Sequence, residues 1–312
     1  MAFQRIVKRT LPNGIVSTVY PFHISLKGLE SALLCRDEDD YDILQKTFYV
    51  CSWRSNVLVI EDIEMSNHGH LAVLARDLSS ADKASESIKK NYSQYLSFKY
   101  GQRRTLSRCD AKVLYLDSDW YLRNALAYIP RNALDTGKRI EDYNWSSYRG
   151  LFGSEDGYKR SIPVSSMSRR ERESVFRTHT DLSKVPWRVD SEGHIVPSSA
   201  CDHVYLENAF NNDQAFFLKT IGSINCAEMA QKLVEGPRTR KNDSEFFLSA
   251  ANIADKWFAT DILALSLEQK TRLIPYLYHT NSTSVAQIAR CIRLSKIQVE
   301  TILRNASPRV IK

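Results

Sequence analysis

The 312-residue chain contains no run of eighteen apolar residues, so no segment is long and apolar enough to cross a bilayer as a helix. It contains no C-x-x-C pair. The six cysteines, at positions 35, 51, 109, 201, 226 and 291, are scattered, which argues against a zinc knuckle or a disulfide framework and suits a reducing compartment. A G-x-x-x-x-G-K-[ST] phosphate loop is missing, as are internal repeats and low-complexity tracts. The opening residues Met1-Ala2-Phe3-Gln4-Arg5 carry neither a long apolar segment nor a small-residue cleavage site, so no secretory signal is expected.

What is present is an ordinary globular balance of 43% hydrophobic and 25% charged residues. A formal net charge of +7 points toward a polyanionic partner without specifying it. The β-branched run "IVSTVYPFHISL" (15–26) predicts a strand. "DEDDYDILQKTFYVCSWR" (37–54) opens with acids that favour a helix N-terminus and continues at helical spacing. "NVLVIEDIE" (56–64) and "HLAVLA" (70–75) predict a hairpin, a helix follows at about 80–100, "RTLSRCDAKVLYLD" (104–117) ends in another strand-like run, and a Ser118-capped helix is expected at 118–134. That order predicts an α+β fold: a ferredoxin-like antiparallel sheet with helices on one face. Three regions are expected: 1–153, a mixed linker or accessory segment at 154–240, and a helical region at 241–312.

Within "MSNHGHLAV" (65–73), His68 and His70 share one face of a strand while Gly69 faces the other, where a backbone or side chain can approach closely. Two imidazoles on one face can chelate a divalent ion; an H-x-H without function is the plainer reading. A third ligand is available in "YLDSDWYLRNALAYIPRNAL" (115–134). Tyr128 and Asn132 are four apart, which stacks them on one helix face, unless they are simply a half-buried aromatic and a helix C-cap.

The combination of "MSNHGHLAV", "DSDWYLRNALAYIPRN" and "DYNWSSYRG" (142–150), preceded by "YPFHISLKG" and "CRDEDDYDIL", resembles the REP-associated tyrosine transposases, single-strand DNA transposases of the HUH superfamily. The resemblance covers about residues 10–153. It implies that 1–153 is an HUH catalytic domain, that His68, His70 and Asn132 hold Mg²⁺ or Mn²⁺, and that Tyr128 is the nucleophile. The implied partner is single-stranded DNA with a hairpin, handled by a monomer or homodimer in a bacterial cytoplasm, in association with the nucleoid. The chain departs from the family pattern at Ala133 and Ser66, where prolines are usual, and at Pro130, inside the motif. The family's tryptophan before the last strand is missing. Alternatives are an inactive, domesticated DNA-binding regulator, and an HUH replication initiator or relaxase.

The implied chemistry is transesterification, in which phosphodiester energy is kept in a 5′-phosphotyrosine link. A free phenol, with a pKa of about 10, needs help at neutral pH, and a cation on the phosphate supplies it. No general base is identified; Glu61, Asp62 and Glu64 are near in sequence. DNA contacts are expected from Lys89, Lys90, Arg103 and Arg104 in an aromatic-rich basic stretch, and from Arg131. "STSVAQIARCIRLSKIQVETILRNA" (282–306) predicts a helix-turn-helix, with Lys296, Gln298 and Arg304 offered to DNA. His23, His179, His194 and His279 lack spacing logic and are expected to be solvated or core residues, and Cys201-Asp202-His203 is expected to be structural.

Overall fold

The computed structural model describes residues 3–27, 33–101, 110–154, 157–223, 243–280 and 285–305, with positions 225, 226, 229 and 283. The chain divides into two compact units: Met1–Arg76 with Ser80–Glu235, and the remainder.

The larger unit is built on one long strand. Val16–Lys27 (β2) takes the β-branched run and becomes the centre of an antiparallel sheet. Its first half pairs with the short strand Val7–Thr10 (β1), which the sequence did not announce. Its second half is flanked on one side by His68–Ala75 (β4) and on the other by Asp110–Tyr115 (β5), and β4 pairs in turn with Leu58–Glu64 (β3). The predicted hairpin is therefore β3–β4. The register brings Ile63, His70, Ser25 and Lys112 into one row across four strands.

Helix Glu38–Arg54 (α1) is started by Asp37, whose side chain accepts from the Asp40 N–H, and by three acids in its first turn that complement the helix dipole. It covers the sheet face toward which Gly69 points. A Cβ on Gly69 would lie 2.9 Å from Phe48 Cζ and 3.4 Å from the Ile63 carbonyl oxygen. Leu78–Tyr100 (α2) joins α1 through Tyr92, whose hydroxyl donates to the Leu34 and Asp40 carbonyls.

Asp119–Arg131 (α3) lies on the other face. Ser118 accepts from the Tyr121 N–H, and Leu122, Ala125, Leu126 and Ile129 pack against Ile60, Ile63, Ala72 and Leu74 of the sheet. Each large aliphatic buried there contributes roughly 1.5–3 kcal/mol. The expectation of helices on one face is thus corrected. The strand run "HLAVLA" is apolar at every position after His70 and buried throughout, so both faces of β4 need cover, and α1 and α3 supply it from opposite sides.

Residues 157–223 add the small helices Arg169–Phe176 (α4), Pro197–Ala200 (α5), His203–Ala209 (α6) and Gln214–Ile221 (α7), with a two-stranded pairing of Ile162–Pro163 (β6) and Arg188–Val189 (β7). Leu206, Phe210 and Phe217 from this stretch share the core of α3 and the sheet.

In the second unit, Asp243–Phe258 (α8), Leu267–Thr280 (α9), Val285–Ile292 (α10) and Lys296–Asn305 (α11) enclose Phe246, Ala250, Leu273, Leu277, Ile288, Ile292, Val299 and Leu303. The α10–α11 turn passes through Arg293, which takes a left-handed φ of 53°, the conformation glycine adopts most easily. Ser295 opens α11 with a reciprocal cap: its hydroxyl accepts from the Gln298 N–H at 3.1 Å and Gln298 Oε1 accepts from the Ser295 N–H at 2.8 Å.

Replacing Gly69 by Ala should force Phe48 to move. The expected loss is about 1–3 kcal/mol of unfolding free energy in urea titrations, without loss of helical signal in circular dichroism.

Candidate active site

The two strand positions and the helix positions singled out by sequence meet on the α3 side of the sheet. His68 and His70 are separated by 5.1 Å between ring centroids at 70°, and His70 meets the Tyr128 ring edge-on at 5.3 Å. Asn132 closes the group: its Oδ1 lies 3.2 Å from His68 Nε2. Tyr128, His70 and Asn132 are buried, while His68 is half-buried and Ser66 exposed, so the group opens on the β3–β4 connection.

The orientation of Asn132 follows from the end of α3. Pro130 has no N–H to give the Leu126 carbonyl, yet the helix runs to Arg131 and then tightens into a 3₁₀ turn, Asn132–Thr136. The Asn132 amide nitrogen donates to the carbonyls of Tyr128 at 2.7 Å and Ile129 at 3.1 Å, the second of which also accepts the Asn132 backbone N–H at the helix end. With its nitrogen so committed, the amide must aim its oxygen at His68.

Burial disfavours the charged form of both imidazoles. Burial lowers the pKa of His68, and burial followed by the charges of His23 and His68 takes His70 well below the usual range. A neutral His68 has one N–H. Its Nδ1 lies 2.6 Å from Asn67 Oδ1. A proton given there leaves the Nε2 lone pair facing the Asn132 oxygen. Two such donors 3.2 Å apart match adjacent corners of an octahedral site, where ligands about 2.1 Å from a hard cation stand roughly 3 Å apart. His70 Nε2 is buried with no hydrogen-bond partner. The residues present therefore fit a divalent ion held by two imidazoles and one amide. Among the described residues, no three His, Cys, Asp or Glu side chains are grouped to hold a metal, so the amide is essential to this reading.

Of the acids near in sequence, Asp62 and Glu64 lie on the α1 face: Gln45 Nε2 donates to both, at 3.1 and 3.4 Å, and Tyr49 donates to Asp62 at 2.5 Å. They are unsuited to take a proton from Tyr128 across the sheet. Burial raises Asp62, and burial together with the neighbouring Asp62 charge takes Glu64 well above the usual carboxylate range. Glu61 is fully buried and its Oε1 has no partner.

The expected DNA contacts fare unevenly. Lys89 is buried, with Nζ 3.6 Å from Glu86, whereas Lys90 is exposed. Arg103 and Arg104 lie outside the described residues. Arg131 donates to the Ile221 carbonyl, tying α3 to α7. Tyr92 and Tyr95 are occupied elsewhere, Tyr95 donating to Asp39 and Asp40 at 2.9 Å each. On α11, Lys296 and Arg304 are exposed, and Gln298 uses its oxygen in the helix cap. Sequence reasoning passed over His23, which is fully buried with Nε2 3.1 Å from His70 Nδ1. Its signal was available only by pairing "YPFHISLKG" with "HGHLAV" in register.

No protein-family model matches the chain, and no curated protein matches it in sequence. Among solved structures, it is similar to a REP-associated tyrosine transposase bound to a REP hairpin, at 16% identity and a TM-score of 0.33, over 59% of this chain and 94% of that one. At that level the likeness carries no argument.

The buried acids provide a pH test. Glu64 has its folded pKa raised above the unfolded value, so its contribution to stability is present below about pH 4 and is lost as pH rises through the window up to the folded pKa. The amide of Glu64→Gln mimics the protonated carboxyl. The variant should match wild type near pH 4 and gain on it above, by at most about 1.4 kcal/mol per pH unit, in urea titrations at pH 4, 6 and 8.

Proposed function

We propose that the larger unit is a metal-dependent tyrosine transposase of the HUH type, which cleaves and rejoins single-stranded, hairpin-associated DNA. The observation that carries this reading is the Asn132 oxygen facing His68 Nε2 at 3.2 Å, one helical turn from the phenol beside His70.

His68, His70 and Asn132 would hold Mg²⁺ or Mn²⁺, whose charge would polarise a non-bridging phosphate oxygen. Every ligand is neutral, so none of that charge is offset by the protein's own donors. Tyr128 is held by the last turn of α3, with its ring against His70, which fixes the position from which its oxygen reaches phosphorus. In the reaction the phenolic oxygen forms a bond to phosphorus, the bond to the 3′-oxygen breaks, and the 3′-oxygen leaves with a proton. The bond formed and the bond broken are both phosphate esters, so a later 3′-hydroxyl can reverse the step without ATP. In the second unit, Lys296 and Arg304 on α11 would add phosphate contacts.

Incubation of the full chain with single-stranded hairpin DNA and Mn²⁺ should give a protein–DNA adduct that survives denaturant. Tyr128→Phe should give none while still binding the DNA, and Asn132→Ala should slow adduct formation by roughly 10–100-fold, the range for disturbed metal sites. Cleavage without an adduct would point to a hydrolytic nuclease. Binding by wild type with neither cleavage nor adduct would favour the regulator.

A further inference from the structure

His23 is fully buried against His70. It sits at the centre of β2, flanked by β4 and β5, with its side chain on the same sheet face as His70, one register step away. The rings stack at 5.1 Å and 30°. His23 Nε2 and His70 Nδ1 are 3.1 Å apart, and the two outer nitrogens, His23 Nδ1 and His70 Nε2, are buried without hydrogen-bond partners.

A hydrogen bond between two neutral imidazoles contains one proton, so the rings have two arrangements. If His23 donates, His70 carries its own proton on Nε2 and shows an N–H to the site. If His70 donates from Nδ1, its Nε2 is a bare lone pair. Each arrangement leaves one outer N–H and one outer lone pair without hydrogen-bond partners, so hydrogen bonding within the protein does not choose between them. A cation beside His68 and Asn132 does, because only the second arrangement offers it a ligand.

Resting on the metal reading above, we infer that His23 is a positioning residue: it accepts the His70 Nδ1 proton and so fixes His70 with Nε2 free for the ion. The acceptor behind a ligating histidine is commonly a carboxylate, a backbone carbonyl or water. Here it is an uncharged ring. His70 is oriented without being made anionic in character, and the set His23, His68, His70 and Asn132 contains no negative charge to compete with a phosphate.

Two measurements on the full chain test this without DNA. Histidine ¹⁵N spectra with saturating Mg²⁺, a diamagnetic ion, should show His70 protonated at Nδ1 in wild type; protonation at Nε2 would overturn the assignment. Free Mn²⁺ measured by electron paramagnetic resonance should show affinity falling roughly 10–100-fold in His23→Leu. It should return to within about threefold of wild type in His23→Gln, whose side-chain oxygen can accept the same proton. Thermal melts establish that each variant is folded, and if the leucine variant is not, the glutamine variant and the spectra still decide. A folded His23→Leu chain that binds Mn²⁺ like wild type overturns the inference. Wild type that binds no Mn²⁺ overturns both this inference and the metal reading. Metal binding that depends on His23 without any DNA adduct sustains the inference while the transposase reading falls.

Discussion

One side-chain amide connects the helix end to the strand. Asn132 donates twice to carbonyls of its own helix and turns its oxygen to His68. If the amide were rotated by half a turn, the nitrogen would face the imidazole and the oxygen would face two carbonyls, a repulsive arrangement in a buried setting. The direction of the oxygen is therefore decided by backbone groups that exist because a helix stops there. The geometry of the site is a by-product of terminating α3, and Pro130, which withholds a donor one turn earlier, is part of that termination.

Much of this was legible in the sequence because the relevant periods are short. A two-residue period placed His68 and His70 together and Gly69 opposite, and Phe48 against Gly69 explains why position 69 is glycine. A four-residue spacing placed Tyr128 above Asn132. The helix start at Ser118 and the α10–α11 pair followed from capping residues and apolar spacing.

The parts that were not legible depend on contacts between distant segments. β1 is four residues with half-exposed alternation, too short and too polar to stand out from a loop. The contribution of α6 and α7 to the sheet's core was hidden in a stretch rich in turn formers, although Asp202 and Asp213 cap those helices in the ordinary way. Lys89 reads as one of two adjacent cations, yet the helix turns it toward the interior and leaves Lys90 outside. His23 is 47 residues from His70, and nothing short of strand register connects them.

That register also governs where charge can reside. In β3 and β4, Ile63 stands beside His70 and Glu64 beside Gly69, so imidazoles and the Asp62–Glu64 carboxylates occupy opposite sides of a layer one strand thick. Parity alone keeps them apart. A one-residue shift of register at 62–64, not taken up by the irregularity between Val59 and Glu61, would exchange the sides, bringing acids among the rings and an apolar side chain beside Gln45. The sheet is thus a partition as well as a scaffold, and β3 keeps that partition at residues 61–64 although its register shifts by one residue between Val59 and Glu61.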